Sequence, residues 1–209
     1  MAALASTVVS SPATPMPLGP SWFGYNDGAR VLKDGPWHSR PFQMAVARLA
    51  PSTIRFPGGT VANSWDWRNG CNDATAGCSA GNPGPSKLED FAATINATGA
   101  SALLVLNMLT DNLNSQLAFL RRAHQLGIPV VGVELGNEFY TALPEHVKWF
   151  PDGTAYGRLC ARWIRAITAA FPRLPLAVVG TPAVPAVKTR RVEWNKLLFA
   201  EVRFASART

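Results

Sequence analysis

Val130-Val131-Gly132-Val133-Glu134-Leu135-Gly136-Asn137-Glu138 is the stretch on which the fold turns. It begins as a short, β-branched apolar run and ends in a polar Gly-Asn-Glu. Gly127 and Pro129 punctuate its start. An apolar run of this length between turn signals predicts a strand buried on both faces, and such strands belong to parallel sheets with helices outside. In those folds reactive groups sit just past the C-terminal ends of the strands, where Glu138 falls. A carboxyl at the rim of a packed sheet, partly shielded from water, has its acid form favoured. That is the form a general acid needs near neutral pH. A Glu after a strand is also, more often, just the first acidic residue of a loop or helix, so the flanking chain has to decide between the two.

Moving outward, the same unit recurs. Ser21 to Asn26 reads as a first short strand ending on Asn26, and Phe42, Ala45, Val46 and Leu49 are spaced for one helical face that Pro51 ends. Thr53-Ile54-Arg55-Phe56 is a second strand, stopped by Pro57-Gly58-Gly59. From Thr60 to Pro85 there is little apolar periodicity, so this is a long loop, and its early aromatics argue for a role in function. Ser86-Lys87-Leu88-Glu89 fits a capping box with Ser86 as N-cap, followed by the stripe Leu88, Phe91, Ala92, Ile95. Leu103 to Asn107 is a third strand, again ending on Asn. Leu113, Leu117, Leu120 and His124 mark the next helix, with His124 expected to pack on it and Gly127 to close it. After the opening strand, Tyr156, Leu159, Cys160, Trp163, Ile164, Ile167 and Phe171 form the strongest helical stripe. Leu176 to Gly180 is a fifth strand, and residues 192–204 a final helix. Strict strand–helix alternation implies an α/β fold with a parallel sheet. Two architectures compete, a (β/α)8 barrel and a doubly wound open sheet. No Gly-rich dinucleotide or phosphate-binding motif follows the first strand, which weakens the second.

Bulk properties set the remaining bounds. The 209 residues are enough for one domain, and the 47% hydrophobic fraction is that of a globular protein. The net charge of +7 suits an anionic ligand or an acidic polysaccharide, but also simply a basic proteome. Lys and Arg are scattered, which weighs against nucleic acid as a partner. No apolar run reaches the roughly 18 residues needed to span a bilayer. Residues 1–20 are rich in Ala, Ser, Thr and Pro and read as a linker-like segment, leaving 21–209 as the folded part. Cys71 and Cys78 lie seven apart in the loop, where a disulfide would suit an extracytoplasmic enzyme. Asn96-Ala97-Thr98 is a glycosylation sequon. Cys160 on a helical stripe reads as inert packing. Nothing has metal-ligand spacing, so neither a metal nor another cofactor is expected.

Three places share a resemblance. Leu49 to Thr60, with its Arg55-Phe56-Pro57-Gly58-Gly59-Thr60 run, looks like the second βα unit of retaining glycoside hydrolases of the large TIM-barrel clan. It is most like the heparanase and β-glucuronidase branch or the α-L-arabinofuranosidases. Leu103 to Asn107 is similar to the third strand of that branch. Glu134-Leu135-Gly136-Asn137-Glu138 resembles its fourth, where Asn-Glu carries the acid/base. The likeness runs from about Trp22 to Leu198 and implies a partial (β/α)8 barrel of about five βα units that stops before closure. It implies Glu138 as general acid/base, and Asn137 as the donor to the sugar hydroxyl next to the reacting carbon, a bond that strengthens in the oxocarbenium-like transition state. Arg55 would hold a carboxylate charged beneath the pocket, or form a structural ion pair. Glu134 lies four residues before Glu138 on the same strand face; if buried it needs a cation, and Arg55 is the expected partner. Asn26 and Asn107 would contact sugar hydroxyls or cap their own turns. Trp65 and Trp67 would offer a sugar ring an apolar face, or fill a core. Asp66 and Tyr140 are rim candidates.

Retaining hydrolysis uses two carboxyls about 5–5.5 Å apart. The clan's nucleophile is a Glu on a strand well after the fifth, and Glu193 and Glu201 do not match that position. The expectation is a glycosidase fragment acting on a carbohydrate, an arabinoside or a glucuronide-containing glycan, and inactive alone. The alternatives are a carbohydrate-binding remnant without catalysis, and a subunit whose barrel is completed by a second chain.

Overall fold

A computed structural model describes residues 22–27, 36–72, 86–182 and 189–206, with side chains to Arg203. Residues 1–20 and Cys78 lie outside the described residues, and so do the expectations that fall on them. Five parallel strands form one sheet: β1 (Gly24–Asn26), β2 (Thr53–Phe56), β5 (Ser101–Val105), β6 (Val130–Leu135) and β7 (Leu176–Val178). Their spatial order is their sequence order, β1-β2-β5-β6-β7. A doubly wound sheet reverses its strand order at a switch point; a barrel advances strand by strand. The sequential order selects the barrel, and the fold is five βα units of a (β/α)8 barrel.

Among the described residues six α-helices complete the units: α1 (Arg40–Leu49), α2 (Leu88–Thr98), α3 (Leu113–Gln125), α4 (Pro144–Trp149), α5 (Gly153–Ala170) and α6 (Trp194–Ser206). The core lies between them and one face of the sheet. Ile54, Phe56, Ala102, Leu104, Val133 and Leu135 alternate with less buried neighbours and point to the helices. Phe56 stacks on Phe91 at 3.9 Å, and Trp37 meets both edge-on. Burying aromatics of this size on both elements supplies much of the apolar area that holds helix to sheet. The α5 stripe is buried as its spacing requires: Tyr156, Cys160, Trp163 and Ile167 have almost no exposed surface. Burial also pushes the Cys160 thiol up to about 12, which keeps it protonated and unreactive.

Several local expectations need correcting. The strands are not buried on both faces: Thr53, Arg55, Leu103 and Glu134 are only half-buried, on the side opposite the helices. That side faces the barrel interior, which five strands do not close. Ser86 does not cap α2; the N-cap is Lys87, with no side-chain cap bond, and Glu89 instead pairs with Arg122 at 2.9 Å. His124 is exposed, because α3 turns Gln116, Phe119, Leu120 and Ala123 inward instead. Leu49 is also exposed, bordering a hollow beside the β1 edge. The segment after β2 is not one long loop. Thr60–Asn63 is a turn of 3-10 helix, and β3 (Trp65–Asp66) pairs antiparallel with β4 (Cys71–Asn72). Cys71 is disulfide-bonded. No helix among the described residues is long and apolar enough to cross a membrane.

Candidate active site

β1, β2, β5 and β6 lie side by side, so their C-terminal ends bring Asn26, Arg55 and Glu134 together. In register, Asn26 pairs with Arg55 and Val105 with Glu134. The guanidinium of Arg55 donates to Glu134 Oε2 twice, from Nη2 at 2.6 Å and from Nε at 2.9 Å. Nη1 donates to Asn26 Oδ1 at 2.8 Å, and Nη2 to Asn137 Oδ1 at 3.0 Å. One cation therefore ties three strands together. The Arg55 partner expected for Glu134 is present, but Glu138 does not share a strand face with Glu134, because β6 ends at Leu135 and the chain turns before Glu138. Both side chains are about a fifth to a quarter exposed, so their attraction is only partly screened by water.

Beyond β6 the backbone turns sharply. Gly136 has φ 87 and Glu138 φ 48, both in the left-handed region that L side chains other than Asn and Asp rarely adopt. Glu138 is held there by its surroundings: its carbonyl accepts from the Thr141 N–H at 2.9 Å, and its Oε1 accepts from the Tyr140 hydroxyl at 3.1 Å. Burial, and next the bond to the Glu138 carboxylate, raise the pKa of the Tyr140 phenol above its ordinary value. It therefore stays a donor. The Arg191 guanidinium lies over the Tyr140 ring at 5.0 Å. Glu138 itself is exposed. The shielding expected for it is not supplied by the described residues, because the open side of the sheet leaves the rim wet.

Arg55, Glu134, Asn137, Glu138, Tyr140 and residues 177–180 line a hollow of about 260 Å³. Asn137 is 6% exposed, and its Nδ2 is buried with no hydrogen-bond partner. A buried donor without an acceptor costs about 1–3 kcal/mol; this one is enclosed by protein, so it would meet a ligand hydroxyl only on turning toward the hollow. The hollow thus offers a carboxyl able to give and take a proton, a ready donor beside it, and a cation behind it. No group of three His, Cys, Asp or Glu that could hold a metal occurs among the described residues.

Four of the other candidate residues fall elsewhere. Trp65 is 3% exposed, wedged edge-on between Phe56 and Phe119, with its Nε1 donating to the Ser86 carbonyl. Trp67 packs on Phe119 and donates to Ser115 Oγ at 3.0 Å. Both rings belong to the helix side of the sheet, so neither stacks on a sugar in this hollow. Asn107 is buried; its Oδ1 accepts from the Leu109 and Thr110 N–H groups and its Nδ2 donates to the Trp65 carbonyl. It caps its own turn. Asp66 is paired with Arg68 at 2.7 Å. Asn26, by contrast, is exposed and joins the Arg55 network. Two residues escaped the sequence reading: Asn63, in the segment read as a loop, and His146, on a short helix with no apolar stripe to announce it.

No family model matches the chain, and no curated protein sequence does. Solved structures do. The family 51 α-L-arabinofuranosidase AbfB of Bifidobacterium longum superposes with a TM-score of 0.65 at 17% identity over 89% of this chain and 42% of its own. An α-L-arabinofuranosidase of Thermotoga maritima, solved as an arabinose complex, gives 0.58 at 18% identity over 78% and 36%. The family 51 enzyme of Thermotoga petrophila gives 0.56 at 19% over 76% and 35%. At such identities the likeness is one of fold: the chain has the architecture of part of a (β/α)8 barrel, and it spans less than half the length of these structures.

Proposed function

We propose that this chain is the N-terminal part of the catalytic barrel of a retaining glycoside hydrolase, acting on an arabinoside or a glucuronide-containing glycan. Glu138 is the general acid/base. As the acid it protonates the departing glycosidic oxygen; as the base it takes a proton from the water that resolves the glycosyl-enzyme. Asn137 Nδ2, turned toward the hollow, donates to the neighbouring sugar hydroxyl, and Arg55 pairs with Glu134 and binds Asn137 Oδ1. The observation that carries this reading is the convergence of Glu138, Tyr140, Asn137 and Arg55 on one hollow. The likeness in fold to arabinofuranosidases supports the arabinoside, and the net charge of +7 supports an acidic glycan. The second carboxyl comes from a later strand of the barrel.

The test is an NMR titration of the chain with methyl arabinofuranoside and, separately, methyl glucuronide. Resonances of residues 136–140 and Gly180 are expected to move with one of them. Saturable binding that moves residues elsewhere and leaves these still would overturn the assignment.

A second reading has its own support. β1 is an edge strand whose flank exposes Trp22, Phe23 and Tyr25. Exposed aromatics on an open edge favour pairing with another strand. The remaining strands would then come from a second polypeptide, and co-purification of one bearing βα units would support it.

A further inference from the structure

We propose that Asn63 and His146 are positioning residues for Glu138, acting as a two-point clamp on the five-residue strap from Asn137 to Thr141. The proposal rests on the assignment of Glu138 as acid/base and names what holds it in place.

The first anchor is Asn63. It is 1% exposed and lies at the end of the 3-10 turn after Pro57-Gly58-Gly59. Its Oδ1 accepts from the Asn137 N–H at 2.9 Å, and its Nδ2 donates to the Asn137 carbonyl at 2.8 Å. One side-chain amide thus satisfies both backbone groups of the residue that precedes Glu138. The second anchor is His146 on α4, which has no exposed surface. Its Nδ1 lies 2.8 Å from Thr141 Oγ1 and its Nε2 3.3 Å from Asn63 Nδ2. Asn63 Nδ2 can only donate, so Nε2 accepts, and Nδ1 carries the proton and donates a hydrogen bond to Thr141 Oγ1. Burial lowers the pKa of the imidazole, consistent with this neutral form; Glu145 and the Glu138 carbonyl oppose that effect, and Arg190 adds to it.

The two anchors bracket Glu138. Asn63 fixes the backbone before it; His146, through Thr141, fixes the backbone after it; and the Thr141 N–H returns to the Glu138 carbonyl at 2.9 Å. A non-glycine residue at φ 48 is a strained conformation, costing about 1–3 kcal/mol, that persists only where the surroundings over-determine it. Here those surroundings are two buried side chains that do not line the hollow. Without them the strap would relax, and the carboxyl would leave the Tyr140 hydroxyl.

The test uses the 209-residue chain and two variants, Asn63→Ala and Thr141→Val, the second being nearly isosteric. The reporters are the backbone amide resonances of residues 137–140 and the side-chain carboxyl resonance of Glu138, with the Glu89 carboxyl as an internal control. The expected result is that both variants move the Glu138 carboxyl and the strap amides and leave Glu89 unchanged. A merely structural role would lower stability without moving the Glu138 carboxyl. Sugar affinity at the hollow is expected to fall about tenfold, on the order of one hydrogen bond. Unchanged Glu138 and strap resonances in folded Thr141→Val would overturn the proposal, whether or not Asn63→Ala folds. If the wild-type chain binds no sugar, the hydrolase assignment fails by itself, and the resonance comparison still decides the clamp.

Discussion

Asp27, at the end of β1, is a carboxyl with too few partners for its depth. It is 3% exposed. Its Oδ2 accepts from Trp37 Nε1 at 3.3 Å, its Oδ1 has no partner, and no cation among the described residues pairs with it. Burial raises its pKa from 3.8 to about 8, with the Trp37 bond acting in the opposite direction. The folded chain therefore holds a proton that the unfolded chain gives up. The stability so gained is fully present below the unfolded value near 4 and is lost as pH rises through about 8. At 1.36 kcal/mol per pH unit the whole interval corresponds to about 6 kcal/mol, a ceiling that local relaxation and water entry lower to about 2–4 kcal/mol. The perturbation is Asp27→Asn, which keeps an acceptor for Trp37 and removes the titration. Urea unfolding of both proteins at pH values of about 4, 6 and 8 reads the difference. The variant is expected to gain on the wild type by about 2–4 kcal/mol between the lowest and highest pH. Two stability curves that run parallel across this range would refute the burial argument.

Three further outcomes follow from contacts at the same rim. Arg55→Met leaves the Glu134 carboxylate half-buried without a cation and is expected to cost about 2–4 kcal/mol in urea unfolding, with Glu134→Gln in the same chain recovering part of it. Gly58→Ala would place a Cβ 1.8 Å from the Asp27 carbonyl oxygen and 2.4 Å from Asn26 Oδ1; backbone cannot yield that far, so a loss of about 3 kcal/mol or failure to fold is expected. Gly59→Ala meets nothing within 4 Å but forces a side chain onto φ 71 with ψ −167, a combination essentially confined to glycine, at about 1–3 kcal/mol, so thermal melts should show a loss no larger than that of Gly58→Ala.

The parts of the site that could be read from the sequence were those governed by strand position and charge. The electrostatic cost of a buried carboxylate demands a cation for Glu134, and Arg55 at the end of another strand is the partner found. Strand–helix alternation gives the unit, and the sequential strand order then separates barrel from open sheet. The rest depended on packing at long range. Whether Trp65 lines a cleft or a core is decided by where α2 and α3 settle, dozens of residues away, and no local pattern encodes that. Asn107 looked like a ligand contact for the same reason that it caps a turn: a short amide at a strand end serves either role. The exposure of Glu138 follows from how much of the barrel surrounds it, a property of the assembled sheet. Asn63 had no signal of its own, since its two bonds to Asn137 span 74 residues.

The central claim is that Glu138 delivers the proton to the leaving group, and the leaving-group dependence of hydrolysis tests it most directly. The protein to use is the barrel completed by its later strands, with and without Glu138→Ala. A methyl glycoside needs a protonated leaving group, whereas a dinitrophenyl glycoside departs unaided. The account predicts that Glu138→Ala slows formation of the glycosyl-enzyme by about 10²–10⁴-fold for the methyl substrate and barely at all for the dinitrophenyl one. An equal loss on both substrates, or no loss on the first, would contradict it.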